Sequence, residues 1–191
     1  MTAINPILLV LGMPGSGKTT VGNMLSQLLD APHRSVGDVL RAGRNSGKRI
    51  PVGKDPATWF LEQELQRIME KPARGVILDF SPVTHDGAGQ LTMMLHEQGC
   101  AVHRVVYVKT TMKIAEARYR FRGQRLGDVS EDGKTLFAQR IAKEFWPFTV
   151  PMVRDASKRG YLLTLKNSAD QTALTERVVH LVSTIRTTWL T

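Results

Sequence analysis

One cysteine in 191 residues, Cys100, leaves no partner for an internal disulfide and too few thiolates for a cysteine metal cluster. Its neighbours place it at the start of a buried strand. No apolar run approaches the roughly 18 residues that cross a bilayer. No charged segment leads into a long apolar one, so no secretory or membrane signal is read and a cytoplasmic setting is expected. Acidic residues are the scarcer charge, 17 Asp and Glu against 26 Lys and Arg, for a formal charge of +9. The imbalance gathers between residues 101 and 160, which hold 13 of the basic residues and only six acidic ones. A nucleic-acid surface is one reading of it, but no helix-turn-helix, zinc-finger spacing or aromatic single-strand platform accompanies the charge. A polyanionic nucleotide held among arginines is the simpler account. His85, His96 and His103 lack compact metal-site spacing, and no repeat or low-complexity tract interrupts a length suited to one domain.

What is present is organised around Gly12-Met13-Pro14-Gly15-Ser16-Gly17-Lys18-Thr19-Thr20. The apolar run Ile7-Leu8-Leu9-Val10-Leu11 precedes it as a strand, and Val21, Met24, Leu25, Leu28 and Leu29 follow at helical spacing. Glycines let a tight turn aim backbone N–H groups at a phosphate, and the helix N-terminus adds a favourable dipole. Lys18 can then reach β- and γ-phosphate oxygens, and Thr19 can offer its hydroxyl to Mg²⁺. Residues 12 and 14–20 are therefore the candidate triphosphate site.

Beyond the first helix, Arg34-Ser35-Val36 reads as a short strand ending at Gly37-Asp38, with Val39-Leu40-Arg41 as a helical turn. Arg41 is either a solvated charge or an anion ligand. Residues 42–53 are basic and glycine-rich, suited to a mobile loop that meets a second substrate. Asp55-Pro56 starts a helix with Phe60, Leu61, Leu65, Ile68 and Met69 on one face; Trp59 either packs there or covers a base. Gly75 to Asp79 reads as a buried strand whose terminal carboxylate emerges at the sheet edge, where an acid can order Mg²⁺ through water; the alternative for Asp79 is a cap or turn. A helix over about 86–98 and a strand from His103 to Val108 follow. The next helix sets Arg118 and Arg122 one turn apart, either converging on one nucleotide or lying on a solvated basic face. Gly123 to Gly133, with Arg125 inside it, is a polar loop that can close over phosphates and exclude water. Arg140 lies on the following helix, and Phe145-Trp146-Pro147-Phe148 packs a joint between helices. Tyr161 to Leu165 is the fifth strand, and the last helix runs from about Asp170 to Arg186 on a stripe of Leu174, Val178, Leu181, Val182 and Ile185. Alternating strands and helices predict a three-layer α/β/α fold on a five-stranded parallel sheet.

The whole order resembles the adenylate kinase and nucleoside monophosphate kinase family. Gly12 to Thr20 is similar to its phosphate loop, Ser35 to Arg41 to its acceptor element, Gly47 to Val52 to the segment lining the acceptor base, and Leu78-Asp79-Phe80-Ser81-Pro82-Val83-Thr84 to its third-strand motif. The resemblance implies a P-loop NTPase fold of adenylate kinase type, one domain over 1–191 with an acceptor subdomain at 37–72 and a short lid at 123–133. It implies ATP with Mg²⁺ on the loop, Thr19 and Asp79 at the metal, and Arg118 beside the donor. Lys18, Arg122, Arg125 and Arg140 are implied at the transferring phosphoryl group, with Gly37, Asp38, Arg41, Ile50 and Val52 around the acceptor, AMP first. A monomer acting on small nucleotides, with neither membrane nor nucleic acid as partner, follows from it. The chain departs from the pattern at Val83, where an arginine is usual, at Gly87, near which a base-reading glutamine falls, and at Asp128 or Val129, where another arginine precedes the acidic pair Glu131-Asp132. Two other readings compete: a kinase of another small metabolite, and a nucleotide-binding regulatory or RNA-associated protein without turnover.

Overall fold

In the computed structural model, described over residues 5–47, 49–51, 56–69, 75–80, 93–125, 133–168 and 170–189, five parallel strands form one sheet in the order β2-β3-β1-β4-β5. β1 (Asn5–Leu11) lies at its centre, paired with β3 (Val76–Asp79) on one side and β4 (Cys100–Lys109) on the other. β2 (His33–Ser35) and β5 (Leu162–Lys166) are the edges. Strand side chains alternate between faces, so the apolar run of β1 feeds two cores at once. Ile7, Leu9 and Leu11 pack with Leu61, Leu65, Ile68, Leu78 and Ala156. Leu8 and Val10 pack with Val21, Leu25, Ile77, Leu174, Val178 and Ile185. One face is covered by α1 (Lys18–Leu29) and α8 (Gln171–Trp189), the other by α3 (Pro56–Met69), the helical residues 93–97 (α4) and α7 (Val150–Lys158), which gives the expected three layers. All five residues of the predicted α8 stripe are buried.

Several local expectations are corrected. β2 ends at Ser35, and Val36 already opens α2 (Val36–Asn45), so residues 42–45 are helix instead of mobile loop. Packing accounts for this: a Cβ at Gly43 would stand 2.5 Å from the Phe60 ring, so α2 lies close against α3 there. α5 (Met112–Arg125) runs through residues 123–125, which were expected to begin a loop; residues 126–132 lie outside the described residues. The aromatic residues 145–148 do stand at a joint between two helices, and that joint is itself helical. α6 (Gly133–Arg140) passes through a π-helical segment, Ile141–Thr149, directly into α7. Pro147 has no N–H to give an α-helical turn, and the wider turn accommodates it: the Val150 N–H donates to the Phe145 carbonyl five residues back. Of the predicted 86–98 helix, only 93–97 are described as helical, and Gly99 at φ 66 ends it.

In this strand order the connections after β1 lead to one side of the sheet and those after β3 to the other. The loop leaving β1 therefore sits at the carboxyl edge beside the reversal point, where open parallel sheets place ligands. A third apolar cluster, Met13, Ala115, Phe137, Ile141 and Phe145, fastens that loop to α5, α6 and the π-helical segment.

Candidate active site

The turn after β1 is shaped by two glycines in the left-handed region, Gly15 at φ 75 and Gly17 at φ 91. The Ser16 N–H donates to the Met13 carbonyl at 3.1 Å. Gly17 is the N-cap of α1 and offers no side chain, and no acidic residue lies in the first turn. The first turn of α1 therefore carries no acidic side chain of its own against the dipole of that helix end. Lys18 Nζ folds back along the loop and donates to the carbonyls of Gly12 at 3.0 Å and Met13 at 3.2 Å. Pro14 is buried, Thr20 is exposed on the first turn of α1, and the hydroxyl of buried Ser16 has no hydrogen-bond partner among the described residues.

Asp79 closes β3 next to this cradle. Its Oδ2 accepts the Thr19 hydroxyl at 2.8 Å, and the acid is 5% exposed. Burial raises its carboxyl, but neighbouring His33 and Thr19 and the Lys18 charge outweigh that and hold it below the usual carboxylate range. His33 Nε2 stands 3.4 Å from the same oxygen, off the line of a hydrogen bond, while Nδ1 lies 2.7 Å from Asn23 Oδ1. A hydroxyl and an ionised carboxylate in contact at the lip of a phosphate cradle fit Mg²⁺, which takes few protein ligands and completes its shell with phosphates and water. Among the described residues no group of three His, Cys, Asp or Glu forms a protein metal cage.

On the other flank, Arg118 of α5 donates through one guanidinium nitrogen to the Ser168 carbonyl at 3.0 Å and to Asn167 Oδ1 at 3.5 Å. Its other terminal nitrogen is buried without a partner among the described residues. Arg122 and Arg125 lie further along α5, but their side chains are outside the described residues. Arg140 ends α6 and grips Glu144 through bonds of 2.7, 2.9 and 3.0 Å, with its guanidinium 5.9 Å from the Tyr119 ring centre. Burial opposes its charge, yet Glu144 and Tyr119 more than compensate and raise its proton affinity.

The expected acceptor elements lie on α2. Gly37, Asp38 and Arg41 share its first turns, and Arg41 is paired with Asp38 on an exposed face. Ile50 is half-buried; Val52 lies outside the described residues, as do Val83, Gly87, Glu131 and Asp132. Trp59 packs edge-on against Phe60, with ring centres 4.8 Å apart.

Three residues of this arrangement were not among the sequence candidates. His33 and Asn167 reach the loop only through sheet pairing, and nothing local distinguishes them. Glu144 had a usable signal, since it lies four residues after Arg140 on a helix, the spacing of an ion pair.

The chain resembles known proteins over most of its length. The AAA domain family model matches residues 11–133. The chain is similar to the adenylate kinase of Agrobacterium fabrum, 30% identical over 189 residues that span 90% of this chain and 94% of that one. It is likewise similar to the adenylate kinases of Beijerinckia indica, at 30% identity with 90% and 96% covered, and of a Cyanothece species, at 27% with 94% and 96% covered.

Proposed function

The chain belongs to the adenylate kinase family of nucleotide kinases, and from that premise we propose that it moves the γ-phosphoryl group of ATP to a nucleoside monophosphate, AMP first. The observation that carries the reading is the Thr19–Asp79 contact at the lip of the glycine cradle, with Lys18 lying along the same loop. The loop N–H groups and the uncapped end of α1 bind the donor phosphates. Lys18 exchanges its carbonyl partners for phosphate oxygens. Thr19 and Asp79 would hold Mg²⁺, which would supply positive charge against that of the phosphates. Arg118 binds the donor, and Arg122, Arg125 and Arg140 gather around the transferring group, Arg140 leaving Glu144 to do so. Gly37, Asp38, Arg41, Ile50 and Val52 line the acceptor pocket within a subdomain of 37–72, and residues 123–133 form the lid of a single domain that works as a cytoplasmic monomer. No general base is required, because positioning and charge stabilisation carry most of this reaction.

The test is a panel of AMP, CMP, UMP, GMP, deoxynucleotides and non-nucleotide acceptors with ATP and Mg²⁺, scored for ADP and the phosphorylated product together. AMP is expected to be converted most efficiently. ADP formed without consumption of the acceptor shows hydrolysis and refutes the proposal, since transfer to AMP consumes the AMP and turns both nucleotides into ADP, and a non-nucleotide product transfers it to another metabolite.

A further inference from the structure

Asn167 stands where the phosphate loop, β4 and α5 come together. Its backbone N–H donates to the Lys109 carbonyl at 2.8 Å, fixing the end of β5 against β4. Its side chain, only 3% exposed, donates from Nδ2 to the Ser16 carbonyl at 2.7 Å and accepts at Oδ1 from Arg118 at 3.5 Å. That orientation is fixed by its neighbours: the flipped amide would set oxygen against the Ser16 carbonyl and NH₂ against a guanidinium. The amide also fills the space beside Gly17, where a Cβ would stand 2.4 Å from Nδ2. The same virtual Cβ is 3.8 Å from the second terminal nitrogen of Arg118, the buried donor without a partner among the described residues. A buried guanidinium nitrogen that lacks an acceptor among the described residues, beside the phosphate cradle, calls for a ligand oxygen.

We infer that Asn167 is a positioning residue of the donor site. Its NH₂ holds the Ser16 carbonyl outward, so that the loop N–H groups face the phosphates, and its carbonyl turns Arg118 so that the free nitrogen faces the bound triphosphate. The inference deepens the kinase reading and rests on it for the identity of the donor. An aspartate at 167 keeps the acceptor for Arg118 but loses the donor to Ser16 and adds negative charge beside the phosphates.

The test is calorimetric titration of ATP with Mg²⁺, without acceptor, into the wild type, N167A and N167D, with AMP titration and thermal melting alongside. N167A is expected to weaken ATP binding about tenfold, the net worth of roughly one hydrogen bond, while AMP binding stays within about twofold. N167D is expected to weaken ATP binding at least as much, through its added charge. In an R118A background the N167A effect is expected to shrink. Unchanged ATP affinity in both variants, equal losses for ATP and AMP, or a melting shift without an ATP effect each overturns the inference. A wild type that binds ATP and phosphorylates no acceptor removes the kinase reading and leaves this inference standing, whereas a wild type that binds no ATP removes both.

Discussion

Replacing Gly15 by alanine tests whether the loop is fixed where the reaction needs it. An added Cβ would stand 2.1 Å from the Ala115 carbonyl oxygen of α5, and the residue sits at φ 75. Carbon and oxygen normally approach to about 3.3 Å, so the loop or α5 must move by roughly 1 Å. The left-handed backbone costs an alanine roughly 1–2 kcal/mol, and overpacking adds about 1–3 kcal/mol. A melting temperature lower by about 4–20 °C is expected, at roughly 2–4 °C per kcal/mol for a chain of this size. Turnover should fall by about 10²-fold, the usual consequence of an ångström of misplacement. Gly99 supplies the control, since its φ is 66 but nothing lies within 4 Å of its virtual Cβ. G99A should lose the backbone increment alone, about 1–2 kcal/mol, with turnover intact. Calorimetric melting and steady-state kinetics on both variants read the difference. A G15A protein as stable and as active as G99A would refute the claim that contact with α5 sets the loop.

Three further outcomes are expected. K18A should lose phosphoryl transfer by at least about 10²–10³-fold, as for other removed transition-state donors, with little change in melting; preserved transfer would remove the kinase assignment. D79N should raise the Mg²⁺ concentration needed for half-maximal activity. Because the folded carboxyl of Asp79 lies below its ordinary value, its stabilisation is complete above an unfolded pKa of about 4 and is lost as pH falls through the lowered folded value. Melting temperature against pH should therefore be flatter on the acid side in D79N, and an identical acid slope would contradict the assigned environment. L65A empties a fully buried position in the sheet-to-α3 core and should cost about 2–5 kcal/mol in denaturant unfolding, with turnover of the folded fraction retained.

Much of the fold was legible because its signals are local. Apolar runs located β1, β3, β4 and β5, the stripe ending at Ile185 located α8, and Gly12 to Thr20 announced the cradle. Errors fell where tertiary packing overruled local composition. Glycine and charge between 42 and 45 suggested a loop, but Gly43 is small so that α2 can press on Phe60. The joint at Phe145-Trp146-Pro147-Phe148 was legible, but not the π-helical turn that carries the chain through Pro147.

The sequence by itself determined the phosphate loop, the order of strands and helices, and the candidacy of Asp79, because backbone freedom at glycine and the periods of strand and helix are written in neighbouring residues. Only the tertiary structure brought Thr19 to Asp79 across 60 positions and Ser16 to Asn167 across 151. It also set His33 beside the candidate metal carboxylate and Arg118 beside Gly17. These contacts depend on which strands pair and in what register. Local periodicity is the same for every strand order, so the side chains that the fold would gather at the sheet edge could not be read until the sheet was assembled.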